Sequence, residues 1–313
     1  MQKIFSSIGT LNNITVFFED NRSEEVKVIM KNIEDYFYKL DDNFSIFKEN
    51  SEINKINKNA GIKFVEVEKD TFEIIKIAKE YGKITNGAFD ITIKPLVDLW
   101  NEAKKKNLIP SDKKVKEILR LINYNDIIIN EKDQSVMLKN KGQSIDLGGI
   151  AKGYIIDKVK DILKINNIDN AIINLGGTVS SIGEKRNIGI RNPYTPINAS
   201  TDASIFASIE SIDEDVITSG IYEQFFKKDK KIYHHILSSK TGYPTQTQII
   251  SATIIGKCGA ELDALATACF ILGIGNSVKL LKKRNLEAIF IIEGGKIFVT
   301  EGLKEKIKVE GEK

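Results

Sequence analysis

The order in which the hydrophobic period changes along this chain is the feature that most restricts its fold. In some segments apolar residues recur every three or four positions, which predicts amphipathic helices, and in others they alternate or form short runs, which predicts strands. The two kinds of segment follow one another without a regular strand-helix-strand repeat. This order favours an α+β fold, with mixed or antiparallel sheets and flanking helices, over a doubly wound parallel sheet.

The individual elements are predicted from these periods and from the turn residues between them. Helices are expected over residues 23–40, 71–81, 115–122, 151–164, 261–272 and 276–284. Strands are expected over 14–18, 171–175, 187–191, 203–209 and 249–255, with hairpins formed by 126–130 with 135–138 and by 288–292 with 296–300. An alternating stretch after the Asn86-Gly87 turn is closed by Pro95, and the lysine-rich residues 101–114 are interpreted as a solvated surface excursion.

Length and composition indicate a globular protein. The 313 residues, 42% hydrophobic and 28% charged, predict one large domain over residues 1–313, built from two intimately packed subdomains. The net charge of +3 is scattered, which argues against a nucleic-acid partner. We find no transmembrane run and no signal peptide, so a cytoplasmic location is expected unless a leader was removed, in which case the protein works outside the membrane.

The segment SIDLGGIAKGYIID, residues 144–157, is poorly explained by packing alone. Asp146 is expected to end a strand, Gly148 and Gly149 allow close approach of a ligand, and Lys152 falls in the first turn of the next helix. Such a corner suits a phosphate group, because the free N–H groups of a helix N-terminus attract anions. It matches neither the P-loop nor the dinucleotide-binding fingerprint, and an ordinary strand-to-helix turn remains the alternative.

A second glycine pair occurs in NLGGT, residues 174–178, where an apolar strand runs into Gly176 and Gly177. Two such loops in one chain indicate an extended ligand with more than one contact point. Two tight turns explain the same residues without a ligand.

An aspartate within an almost wholly apolar helix indicates a cation site. Asp263 and Thr267 lie four residues apart within GAELDALATACFILG and therefore share one face of the predicted helix. A buried carboxylate needs a partner. A magnesium ion would accept these two hard oxygen ligands and complete its shell with phosphates and water. A helix cap or a pair with a lysine is the alternative.

The only two histidines of the chain are adjacent, in YHHILSSKTGYP, residues 233–244. Any imidazole-based proton transfer must therefore use His234 or His235. A structural role is the alternative for each. The two cysteines, Cys258 and Cys269, lack a metal-knuckle spacing and predict neither a disulfide framework nor a zinc site.

Taken in chain order, these segments resemble the ApbE family of flavin transferases, over nearly the whole chain. The motifs that carry the resemblance are SIGT (7–10), FSIFKENSEINKIN (44–57), GAFDITIKPLVDLW (87–100), DLGGIAKGYIID (146–157), NLGG (174–177), TSGIYEQFF (218–226), HILSSKTGYP (235–244) and the DALAT helix (263–267). Ile8 replaces a methionine of the family pattern. Ser238, Ser239 and Lys240 replace its Asp-Pro-Arg, which puts the contacts of that aspartate and arginine in doubt.

The resemblance implies a magnesium ion bound by Asp263, Thr267 and the carbonyl of Ala151. It implies FAD contacts at Ile8, Ser45, Asp90, Gly148, Lys152, Tyr154, Gly176, Gly177, His235 and Thr241. The implied reaction transfers FMN from FAD to a threonine of an acceptor flavoprotein and releases AMP, with His235 handling the proton and Lys152 neutralising phosphate oxygens. The alternatives are an FAD pyrophosphatase that produces FMN and AMP, and a flavin-binding protein without turnover.

Overall fold

The computed structural model describes residues 1–195, 204–221, 225–228 and 231–309, with the side chains of 225–227 and 231–232 excepted. The helices are α1 (Ser23–Phe44), α2 (Glu52–Lys58), α3 (Lys69–Ile84), α4 (Lys94–Lys106), α5 (Asp112–Leu119), α6 (Ala151–Ile165) and α7 (Gly259–Lys282). The strands are β1 (Gln2–Ser7), β2 (Thr10–Val16), β3 (Val65–Glu66), β4 (Ile127–Asn130), β5 (Ser135–Leu138), β6 (Ala171–Leu175), β7 (Thr178–Ile182), β8 (Arg186–Arg191), β9 (Ile205–Ser211), β10 (Asp215–Gly220), β11 (Phe225–Lys228), β12 (Lys231–His234), β13 (Ile249–Gly256), β14 (Glu287–Ile292), β15 (Lys296–Val299) and β16 (Ile307–Val309).

An eight-stranded sheet with the order β1-β2-β6-β7-β10-β13-β14-β15 organises the molecule, and all of its strand pairs are antiparallel. Both faces of its central part are covered. Ile254 and Phe290 point to the large core with the helices, whereas Ile255 and Ile289 point to a second core beneath β8 and β9. Burial on both faces explains why β14 is a continuous apolar run rather than an alternating one.

Helices α6 and α7 cross at two glycines, and this crossing positions the site described below. A Cβ atom on Gly153 would lie 2.0 Å from the carbonyl oxygen of Gly259, so only glycine permits this approach. Asp157 of α6 accepts hydrogen bonds from the N–H groups of Gly259 (2.8 Å) and Ala260 (2.9 Å), which caps the start of α7. The N-terminal turns of the two helices are thereby locked together.

A third, smaller core joins α4 and α5 to the histidine-containing segment. The indole N–H of Trp100 donates to the carbonyl of Gly242 (2.8 Å), and its ring stacks on Tyr233. Leu96, Val115 and Leu237 pack around it.

Helix α7 is the one described helix that is long and apolar enough to cross a membrane. Most of its first three turns is buried in the large core, and Gly273 (φ 74°) kinks it there. Its apolar composition is therefore that of a core helix, and the expected absence of a transmembrane segment stays a prediction.

The predicted α+β class is confirmed, and most predicted elements are observed with shifted ends. The division into two subdomains stays a prediction. The helices expected over 261–272 and 276–284 form one kinked helix, α7, that ends at Lys282. The strand expected over 14–18 lies at 10–16 as β2, and Ala203, in the predicted strand 203–209, is outside the described residues, as are residues 222–224 of the TSGIYEQFF motif.

Two local expectations were wrong. Asp146 does not end a strand: the side chain of Asn57 makes both backbone hydrogen bonds of Ile145, which replaces strand pairing there. The alternating stretch at 91–93 is a 3₁₀ turn capped by Asp90, and Pro95 opens α4 instead of closing a strand. Much of the 101–114 segment is helical, although it lies on the surface as expected.

Candidate active site

A cavity of about 500 Å³ opens where α7, the start of α6, β10, the end of α1, α4 and five loops meet. Nine of the predicted site residues line it: Ile8, Ser45, Asp90, Gly148, Ala151, Lys152, His235, Asp263 and Thr267. These residues come from segments far apart in the chain. Their convergence on one cavity is what the motifs required.

The oxygen atoms of Asp263 and Thr267 form one wall. Asp263 is 3% exposed, and its Oδ2 accepts a hydrogen bond from the backbone N–H of Gly153 in α6 (3.0 Å). The hydroxyl of Thr267 lies 3.2 Å from that of Ser219, at the end of β10. The hydrogen bond between Gly153 and Asp263 is possible because α6 and α7 cross at glycines. The crossing brings the Asp263 carboxylate against the first turn of α6, where Ala151 lies.

This group of oxygens fits a hard divalent cation. Within the described ranges Asp263 forms no ion pair with a lysine or arginine, and its Oδ1 accepts no hydrogen bond. The alternative that Asp263 pairs with a lysine is therefore not observed. No group of three or more His, Cys, Asp or Glu residues that could hold a metal is found in those ranges. One carboxylate, one hydroxyl and one carbonyl leave coordination positions for a ligand's phosphates and for water.

The glycine loop leads into the N-terminus of α6. The Asp146 carboxylate accepts a hydrogen bond from the N–H of Gly148 (2.9 Å), and burial raises the pKa of Asp146. Lys152 is half-buried at the cavity wall, and in the described part of the chain no carboxylate lies within ion-pair distance of its ammonium group. A helix N-terminus with a lysine that has no ion-pair partner suits a phosphate group, and phosphate binding here stays a prediction.

The carboxylate of Asp90 is hydrogen-bonded to other groups of the protein. Its carboxylate accepts hydrogen bonds from the N–H (2.9 Å) and hydroxyl (2.7 Å) of Thr92 and from the N–H of Tyr124 (2.9 Å). Burial raises the pKa of Asp90 in spite of these hydrogen bonds. Asp90 therefore shapes the cavity wall, and its contact with FAD stays a prediction.

The structure separates the two histidines. His234 is buried: its Nε2 lies 2.8 Å from the carbonyl of Thr245, and its Nδ1 accepts from the N–H of Ile236 (3.2 Å). Burial lowers the pKa of His234 to about 4. His235 is exposed at the cavity instead, which is where a proton-transfer group must be. Its catalytic role is still a prediction.

Four predicted FAD contacts lie outside the cavity lining: Tyr154, Gly176, Gly177 and Thr241. The two glycines form the two-residue turn between β6 and β7 with positive φ angles, and a Cβ on Gly176 would collide with Thr10. Thr241 is an exposed turn residue whose hydroxyl accepts from the N–H of Tyr243. Contact of these three residues with FAD stays a prediction.

Tyr154 supports the cavity from behind. Its hydroxyl lies 2.9 Å from Oδ1 of Asp70 and 3.1 Å from Oε2 of Glu73, and burial raises its pKa. Its ring packs edge-on against Phe44, which lines the cavity. Its predicted contact with FAD is likewise untested.

Several lining residues were not singled out from the sequence, among them Asp41, Phe47, Trp100 and Ser219. Phe47, 91% exposed, lies at the rim. Phe47, Trp100 and Ser219 lie within motifs that carried the resemblance, which was the available signal. Asp41 precedes the FSIFKENSEINKIN motif, and no local pattern marks it.

Comparison with known proteins identifies the family of this chain. Residues 8–290 match the ApbE family. The chain belongs to the ApbE family. It is 33% identical over 263 residues to the FAD:protein FMN transferase of Klebsiella pneumoniae, covering 84% of this chain and 81% of that protein. It is 28% identical to the protein of the same name from Treponema pallidum, covering 96% of this chain and 87% of that protein.

Solved ApbE structures have the same fold. The ApbE protein of Thermotoga maritima superposes with a TM-score of 0.83 at 30% identity, covering 96% of this chain and 97% of that one. The ApbE flavin transferase of Vibrio cholerae superposes at 0.85 with 23% identity, covering 98% of each chain, which shows the fold. The predicted family, the α+β fold and the assignment to the transferases are thus confirmed.

Proposed function

We propose that this ApbE protein transfers the FMN part of FAD to a threonine hydroxyl of an acceptor flavoprotein. The threonine oxygen forms a bond to the riboflavin-side phosphorus, the bond from that phosphorus to the bridging oxygen breaks, and AMP leaves. The printed names of the relatives support flavin transfer in general. The threonine, the release of AMP and the magnesium ion are our extension.

One observation carries the proposal: a single cavity joins the oxygens of Asp263 and Thr267, the N-terminus of α6 with Lys152, and His235. The oxygen group and the glycine loop together suit a diphosphate, since one binds cations and the other binds anions. The apolar side chains of Ile8, Phe44, Ile46 and Phe47 line the same cavity, and such a surface suits a planar ring.

Asp263, Thr267 and the carbonyl of Ala151 would hold the magnesium ion. When bound, the ion would supply positive charge against the phosphate oxygens of FAD. Lys152 adds a second positive charge at the N-terminus of α6, where it neutralises phosphate oxygens. His235 accepts the proton of the acceptor hydroxyl, because a hydroxyl is a weak nucleophile until its proton is removed.

The test is incubation of the protein with FAD, magnesium and a threonine-bearing acceptor flavoprotein, followed by mass measurement of the acceptor. We expect an increase by the mass of the FMN group, with AMP released in equal amount, and no increase for an acceptor in which that threonine is valine. Free FMN with AMP would instead identify a pyrophosphatase. FAD that stays intact with the protein present would identify a binding protein.

A further inference from the structure

The turn between β1 and β2 has an unfavourable backbone at Ile8. Ser7 pairs with Thr10, so the turn has two residues, Ile8 and Gly9, with φ angles of 55° and 69°. Such turns prefer Asn-Gly. Six other described residues that are not glycine have positive φ, and all are Asn, Asp or Gln. Ile8 alone among these seven is β-branched, and a β-branched residue at positive φ is strained.

A single carboxylate holds this turn. The backbone N–H of Ile8 donates to Oδ1 of Asp41, in the last turn of α1 (3.0 Å). The other oxygen of Asp41 accepts from the ammonium group of Lys48, which also donates to Asp42 (2.7 Å). The Asp41 carbonyl accepts from the N–H of Ser45 (3.2 Å), where α1 ends. Asp41 therefore connects the β1–β2 turn to residues 45–48.

Both connected segments form the rim of the cavity. Ile8 and Gly9 line it, and so do Ser45, Ile46 and Phe47. Asp41 itself also lines the cavity. Without the bond to Asp41, the β1–β2 turn would lose this link to the end of α1, and the two lining segments would no longer be held at a fixed separation.

We propose that Asp41 is a positioning residue for FAD. It ties the backbone of Ile8 to the end of α1, so that the β1–β2 turn and residues 45–47 are ordered at the cavity before the ligand arrives. A rim that is already ordered loses less conformational entropy on binding, so the gain is in affinity for FAD. This inference rests on the proposed function, because it takes FAD to be the ligand of the cavity.

The experiment compares Asp41→Ala, Asp41→Asn and Lys48→Ala with the wild type. FAD affinity is measured by flavin fluorescence, kcat by the acceptor assay at saturating FAD, and folding by thermal unfolding. We expect Asp41→Ala to weaken FAD binding about tenfold, or about 1.4 kcal/mol, with kcat within about twofold. Asp41→Asn keeps an oxygen acceptor for Ile8 and should retain affinity within about threefold, and Lys48→Ala should do the same.

The outcomes separate this inference from the function on which it rests. A folded Asp41→Ala protein that binds FAD as tightly as the wild type overturns the positioning role, even if its unfolding temperature falls. So does a loss confined to kcat. If Asp41→Ala does not fold, Asp41→Asn combined with Lys48→Ala still tests whether the Ile8 bond alone maintains affinity. A wild type that binds no FAD overturns the proposed function instead.

Discussion

At the scale of single residues, the two adjacent histidines lie in different environments. His234 is enclosed, with both ring nitrogens engaged by backbone groups, whereas His235 reaches the cavity. The sequence alone favoured His235 only through the family resemblance. The structure adds a physical reason, because a neutral, enclosed imidazole cannot exchange protons with a ligand in the cavity.

The burial of His234 predicts a pH dependence of stability. Its pKa is about 4 in the folded protein and near 6.5 when unfolded, so the unfolded state binds more protons between these values. His234 should favour folding fully above pH 6.5, and this contribution should be lost as the pH falls toward 4, by at most about 1.4 kcal/mol per pH unit.

The measurement is the free energy of unfolding in urea for the wild type and His234→Asn from pH 4 to 8. We expect the advantage of the wild type to be largest at pH 7 to 8 and to shrink toward pH 4. A difference between the two proteins that stays constant across this range would mean that His234 does not titrate as its burial requires.

At the scale of elements, the contact between α6 and α7 determines the site. These helices carry Ala151, Lys152, Asp263 and Thr267, and the glycine crossing fixes their separation. The Asp157 cap holds the same ends together. Small displacements of α6 along α7 would separate the Asp263 carboxylate from the first turn of α6.

Gly153→Ala should therefore be damaging. The added methyl group would meet the Gly259 carbonyl at 2.0 Å and Cβ of Asp263 at 2.8 Å, so the helices must separate. We expect a loss of about 1–3 kcal/mol or more in unfolding free energy, together with weaker FAD cleavage. Gly275→Ala, in α7 with open space around it, is the control for replacing a helical glycine and should be neutral or slightly stabilising. Equal stability of the two variants would contradict the crossing geometry.

At the scale of the whole molecule, the motif residues come together at one cavity, whereas several of the strands around it were not predicted. Nine predicted residues converge on one cavity. Strands β7 and β10 were not predicted, because TVSSI and DVITSG carry hydroxyl groups where an apolar residue would mark a buried strand. Two of those hydroxyls pair across strands, Ser181 with Ser211 (2.9 Å) and Thr218 with Thr253 (2.8 Å), which no local pattern reveals.

Two further limits on prediction are physical. Paired glycines at 176–177 serve equally for a hairpin turn and for a ligand loop, so the residues alone cannot distinguish the two. The loop at 144–146 is held by Asn57, a partner 88 residues away from Ile145, and such a contact leaves no trace in the local sequence. Asp41 likewise acts across 33 residues on Ile8.

The central claim is that the Asp263 carboxylate supports a cation-dependent cleavage of FAD. The most direct measurement is the rate of FMN transfer at increasing magnesium concentration for the wild type, Asp263→Asn and, as an exposed carboxylate of α6 outside the cavity, Asp161→Asn. The side chain introduced by Asp263→Asn can still accept the Gly153 hydrogen bond, so the fold should persist. We expect Asp263→Asn to lose on the order of 10²-fold or more in rate at every magnesium concentration, and Asp161→Asn to keep the wild-type rate. A folded Asp263→Asn protein with wild-type transfer and wild-type magnesium dependence would contradict the account.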